Sequence, residues 1–142
     1  MDKLRESMIA FLNAHRVCVF AASGPQGARL IPVRYYSQGL QVDCLLPRWA
    51  DALHYLEHDQ RVMLVVQEGA HDEPVGNAHA LRWLQLLGTA CPLEKPEWGQ
   101  FLPQGALAPP LEGLYQVARV TPQHIDLVDE SRGWGARHTL DL

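Results

Sequence analysis

The chain has 142 residues, 47% of them hydrophobic and 20% charged, with a formal net charge of −4. This balance fits a single compact domain spanning residues 1–142 with its own core, and it excludes a disordered chain. The negative charge speaks against a broad basic face, so neither a nucleic acid nor a membrane is an expected partner.

The first sixteen residues, "MDKLRESMIAFLNAHR", spread charge through their apolar positions, where a signal peptide has a clean apolar block. Apolar runs such as "VMLVV" are too short to cross a bilayer, so a cytoplasmic location is expected. Within this stretch Asp2 is placed to cap a helix whose Leu4, Met8, Phe11 and Leu12 form one stripe, ending near Asn13 or Ala14. "VCVFAAS" is a continuous apolar run that predicts a buried strand, and "GPQG" turns the chain.

"ARLIPVRYY" places Arg29, Ile31, Val33 and Tyr35 on one face of a regular strand and Leu30, Pro32, Arg34 and Tyr36 on the other. Pro32 has no N–H for a ladder, so it belongs at an edge, at a bulge or beside a ligand. "LQVDCLL" alternates Leu40, Val42, Cys44 and Leu46 with Gln41, Asp43 and Leu45, which predicts a third strand paired as a hairpin. A short helix carrying Trp49, Leu53 and Leu56 follows, then the strand "RVMLVVQE".

Residues 69–80 read as an exposed polar loop, and "LRWLQLLGTACPL" as a strand with Trp83 in the core. A short helix is expected around "EKPEWGQFL". "LYQVARV" and "HIDLVD" read as two strands joined at Thr121-Pro122, and "SRGWGARHTLDL" as a tail. Six or so closely spaced strands with few helices favour an antiparallel barrel or sandwich, a mainly β fold.

The three cysteines, Cys18, Cys44 and Cys91, are widely spaced in apolar contexts and read as small core residues. His54 and His58 share one helical face at metal-ligand spacing, but no third ligand is evident and no metal is expected. His71, Asp72, Glu73 and His79 read as loop polarity. No nucleophile motif or Gly-rich phosphate loop is present, so catalytic residues stay unassigned, and any chemistry falls to a bound cofactor.

The order of elements, with "IAFLNAHRVCVFAAS", "GARLIPVRYYSQGLQVDC", "ADALHYLEHDQRVMLVV", "LLGTA" and "YQVARVTPQHIDLVD", resembles the pyridoxamine-phosphate-oxidase-like family over most of the chain. These are flavin-binding split β-barrels. The resemblance implies a six-stranded antiparallel split barrel, a homodimer, and flavin mononucleotide (FMN) held in a cleft between two subunits. It also implies a flavin-dependent oxidoreductase acting on a small molecule.

On that resemblance Arg29, Arg34 and Arg48 would serve the phosphate and the strand from Ile31 through Pro32 to Val33 the ring edge. Trp49 would join the site, and Trp134 with Arg137 in the tail would swing over a neighbouring subunit. Arg29 and Arg34 point oppositely in a regular strand, so one phosphate meets both only at a bulge or between two subunits. The family's serine or threonine and lysine, two residues apart, fall here on Ala50 and Ala52, with Asp51 between them.

That departure argues against pyridoxamine-phosphate oxidase activity itself. It also leaves a second reading open, a non-enzymatic dimer that has lost FMN and binds haem, a deazaflavin or a protein partner.

Overall fold

The computed structural model describes residues 2–68, 80–102 and 110–142. Helix α1 (Asp2–Ala14) buries Met8, Phe11 and Leu12, the predicted stripe, against the barrel. The buried Tyr35 hydroxyl donates to Leu12 O at 2.7 Å and ties the helix end to the sheet, and burial pushes that phenol's pKa up.

Strands β1 (Val17–Gly24), β2 (Gly27–Gln38) and β3 (Gln41–Pro47) form two successive hairpins. Helix α2 (Asp51–Tyr55) leads to β4 (Arg61–Gln67), which pairs with β1 and with β5 (Arg82–Pro92). A single turn of 3-10 helix (Trp98–Phe101) and the short α3 (Leu111–Leu114) precede the long β6 (Tyr115–Asp129) and the final β7 (Arg137–Asp141). The sheet order is β3-β2-β1-β4-β5-β6-β7, and β3 also pairs with β6, so six strands close a barrel and β7 is an addition.

β6 explains how one sheet both closes and branches. Residues Tyr115 to Val120 pair with β3, and residues His124 to Val128 pair with β7. The sequence reading split this strand in two at Pro122. It is instead one strand of 15 residues, and the proline is absorbed by a register shift between Leu87 and Gly88 on β5. The expected tail likewise contains a strand, β7, whose Leu140 is buried opposite Ile125.

The core consists of the inward residues of every barrel strand, among them Phe20, Val42, Leu64, Leu86 and Ile125. Cys18 and Cys44 are buried as expected, and desolvation holds the Cys44 thiol well above its ordinary range. Cys91 is exposed, contrary to its core reading, because it lies near the end of β5. Trp83 is half-buried on the outward side of β5, since the inward positions there are Leu84 and Leu86.

Leu45 is buried although it faces outward on β3, because Phe101, Val117 and the half-buried Trp98 cover it in a second apolar cluster. Beside them Arg119 forks onto Asp43, directly opposite across the β3–β6 pair, with N–O distances of 2.9 and 3.1 Å.

Candidate functional site

Beyond Arg34↔Leu45 the hairpin of β2 and β3 comes apart, and from Gly27 to Val33 β2 pairs with β1 alone. Pro47 ends β3, and Ala50 N–H donates to Pro47 O at 3.0 Å to form the turn that carries the chain into α2. Arg29, Leu30 and Ile31 of β2, with Trp49, Ala50, Asp51 and Ala52, line a groove of about 200 Å³ at this split.

The register decides which main-chain groups face the groove. Tyr35 N–H donates to Arg16 O at 2.9 Å, so Tyr35 directs its polar main-chain groups toward β1. In an antiparallel strand this direction alternates residue by residue. Val33, Ile31 and Arg29 therefore bond to β1, whereas Pro32, Leu30 and Ala28 present theirs to the open edge. Pro32 thus sits where no ladder donor is needed, and the register from Val17↔Arg34 to Gly24↔Gly27 runs without a shift. Of the alternatives for Pro32, the edge holds and the bulge does not.

Arg29 stands at the mouth of the groove with Nε 3.6 Å from Asp51 Oδ2, both side chains well exposed. Arg34 projects from the opposite face, as two residues of unlike parity in a regular strand must. The two arginines are therefore not brought together within one chain. Val33 is a core residue, and of the stretch from Leu30 to Val33 only Leu30 and Ile31 line the groove.

Trp49 is 80% exposed and lies ahead of α2 rather than on its apolar face, correcting the reading of it as a packed helix residue. Ala50 and Ala52, the positions matched to the family's hydroxyl and ammonium, are both buried, while Asp51 between them is exposed. Both alanines also line the groove, and Ala52 packs in the core cluster as well, so a longer side chain at 52 must either displace its neighbours or extend into the groove.

A larger cavity of about 540 Å³ shares Trp49, Ala50 and Asp51 with this groove and extends past Arg48, His54 and Glu57. The Arg48 guanidinium donates to Glu112 O from Nε at 3.1 Å and Nη2 at 2.7 Å, so part of its donor set is already engaged. Tyr55 at the end of α2 lies over the first hairpin, its ring close against Gly24.

Trp134 is 70% exposed in a turn between Gly133 and Gly135, both at positive φ. Arg137 begins β7 with Nε 3.8 Å from Asp126 Oδ1. Neither residue lines the groove of its own chain.

Two features escaped the sequence reading. Glu57 completes a cluster with His54 and His58 whose ligand atoms all lie within 4.8 Å of one another. The outward sides of the paired strands form an apolar surface: Leu30, Ala21, Met63 and Leu87 make one cross-strand row, and Pro32, Val19 and Val65 the next. Leu30 and Val19 are 69% and 38% exposed on this surface. His71, Asp72, Glu73 and His79 lie outside the described residues.

The fold is shared with solved structures. The chain superimposes on a Clostridium acetobutylicum protein related to general stress protein 26 of Bacillus subtilis, of the pyridoxinephosphate oxidase family. That match has a TM-score of 0.71 at 12% identity, covering 100% of this chain and 96% of the other. A FAD-binding protein from Mesorhizobium loti matches with a TM-score of 0.61 at 14% identity over 84% of this chain and 90% of that one. A haem-binding protein from Mycobacterium smegmatis matches at 0.68 and 19% identity, over 95% of this chain and 57% of that one. No protein-family model and no curated protein matches the sequence. This chain has the split-barrel fold of the pyridoxamine-phosphate-oxidase-like proteins, and among its described residues no helix is long and apolar enough to cross a membrane.

Proposed function

We propose that this protein is a homodimeric split barrel that binds FMN at the split between β2 and α2 and acts as a flavin-dependent oxidoreductase on a small molecule. The carrying observation is the open edge of β2 beside Arg29. An isoalloxazine ring carries donors and acceptors along its pyrimidine edge, and unpaired main-chain groups of a strand are their natural complement. Leu30 offers an N–H and a C=O, and Pro32 a C=O, in the right direction. Arg29 supplies positive charge for the phosphate at the same mouth.

The groove holds about 200 Å³, below the usual range for a ligand-enclosing pocket, so the cofactor needs a second wall. The apolar rows through Leu30, Val19 and Met63 supply a surface by which a second copy would provide it. The partner's Arg34 or Trp134 then enters the site from the other side. Bound flavin would supply the hydride or electron transfer. This chain's residues would bind the phosphate, orient the ring edge and exclude water.

A second reading, a dimer that holds haem in the same cleft, draws on Asp51. Its carboxylate lies 3.6 Å from Arg29 and opposes a phosphate there. The absorption spectrum of the purified protein, before and after addition of FMN and separately of haemin, separates the two readings. Flavin bands perturbed on binding support the first, a Soret band with saturable haemin uptake the second, and no uptake of either overturns both.

A further inference from the structure

We propose that His54, Glu57 and His58 form a divalent transition-metal site on the rim of the larger cavity. His54 closes the last turn of α2, and the chain continues in a helical turn, so the i, i+3 and i+4 side chains emerge on one side. Their ligand atoms all lie within 4.8 Å of one another, and His54 Nδ1 is 3.6 Å from Glu57 Oε2. The two imidazole rings stand edge to face with centroids 5.8 Å apart.

Ligands at zinc-like bond lengths in a tetrahedral shell are about 3.4 Å from each other. The histidine–carboxylate pair already has that separation, and the remaining closure needs only small rotations of exposed side chains. Two imidazoles and one carboxylate suit zinc and its transition-metal neighbours, and they do not suit calcium or magnesium, which favour all-oxygen shells.

Three protein ligands leave a coordination position open. His54 and Glu57 also line the cavity of about 540 Å³, so the ion would sit at its edge with Asp51 and Arg48 on the same wall. An exogenous donor, water or an anionic group, would complete the shell there. Because the site lies outside the groove beside Arg29, it stands or falls independently of flavin binding.

The test is zinc uptake by the full chain after chelator treatment, titrated in competition with a chromophoric chelator and without added flavin. One zinc ion per chain is expected. His54→Ala and His58→Ala should each weaken uptake about tenfold or more, and Glu57→Gln should also weaken it. All three residues are exposed, so circular dichroism of the variants should match the parent chain. The chain holds seven histidines, so uptake that survives the His54→Ala/His58→Ala double variant would place the ion elsewhere and overturn the assignment. No uptake would overturn it too.

Discussion

Arg29 and Asp51 face each other at 3.6 Å across the mouth of the groove, the one a favourable partner for a phosphate and the other an opposing charge. Both are exposed, so each charge acts through solvent and its effect is modest. Asp51→Asn should tighten FMN binding about fivefold, and Arg29→Ala should weaken it by a similar or larger factor. Flavin fluorescence quenching measures both. Equal affinities in the two variants would show that neither residue meets the phosphate.

Restoring the family's lysine carries a cost, because Ala52 packs in the core as well as lining the groove. Ala52 is 2% exposed, so the larger side chain of Ala52→Lys must displace its neighbours or bury its ammonium and should lower the unfolding free energy by about 3 kcal/mol. Urea denaturation reports it, and an unchanged midpoint would mean that the start of α2 rearranges at little cost.

Gly88 is required by the bulge that lets β6 pass through Pro122 unbroken. A Cβ there would lie 2.2 Å from Thr121 O, a main-chain atom that has no rotamer with which to yield. Gly88→Ala should therefore destabilise the barrel by about 2 kcal/mol or more, whereas Gly113→Ala, which meets nothing within 4 Å, should not. Thermal denaturation of the pair makes the comparison, and equal melting temperatures would contradict the packing described.

At Gly24 the obstacle is a side chain. A Cβ would come within 2.2 Å of Tyr55 Cε2, so Gly24→Ala must displace the tyrosine and with it the end of α2. The cost should be about 1 to 2 kcal/mol, and it should largely disappear in a Tyr55→Ala background. Strict additivity in that double-mutant cycle would place the strain elsewhere.

His124 on the outward side of β6 directs Nδ1 to Asp141 at 2.5 Å and Nε2 to Asp126 at 3.1 Å, an arrangement in which only the imidazolium donates twice. The hydrogen bond that it donates to Asp141 is the main cause of its raised pKa, and Asp126 adds to it. Asp126 also accepts from Thr139 Oγ1 at 2.5 Å and faces Arg137, while Leu87 is the cross-strand neighbour on β5. A group whose folded pKa lies above its unfolded value stabilises fully below the unfolded pKa and loses that contribution as pH rises through the folded one. Stability should thus decline as pH rises above about 6.5, and Asp141→Asn should shrink the decline. Denaturation midpoints across that range test it, and a profile unchanged by Asp141→Asn would contradict it.

Much of the barrel was legible in the sequence from the apolar runs and, in some strands, their alternation. "LQVDCLL" announces which residues face inward and Leu4, Met8, Phe11 and Leu12 announce α1, whereas the unbroken run "VCVFAAS" reads as buried throughout although Val17 and Val19 are exposed. What stayed hidden depends on partners distant in sequence. Pro122 reads as a break until Gly88 is seen opposite it, and β7 reads as a tail because "RHTLD" is short, polar and follows two glycines. Trp83 was placed inside because "LRWLQLL" is apolar on both parities, and only pairing fixes which side is in.

Of the residues read from the sequence for the candidate site, Arg29, Ile31 and Trp49 line the groove, whereas Pro32, Val33, Arg34, Arg48, Trp134 and Arg137 do not. Leu30 was missed because its contribution is main-chain and depends on the pairing, and Glu57 because an acid on an exposed helical turn is ordinary in sequence. That Arg48 turns toward Glu112 O depends on α3, which has no periodic signal of its own.

The most direct measurement of the central claim is light scattering in line with flavin absorbance, on the full chain chromatographed with FMN. The expected result is a single peak with the mass of two chains, carrying flavin in proportion to the number of chains. Flavin eluting apart from the protein, or travelling with a species of one-chain mass, would contradict a cofactor held at the split of β2 between two copies.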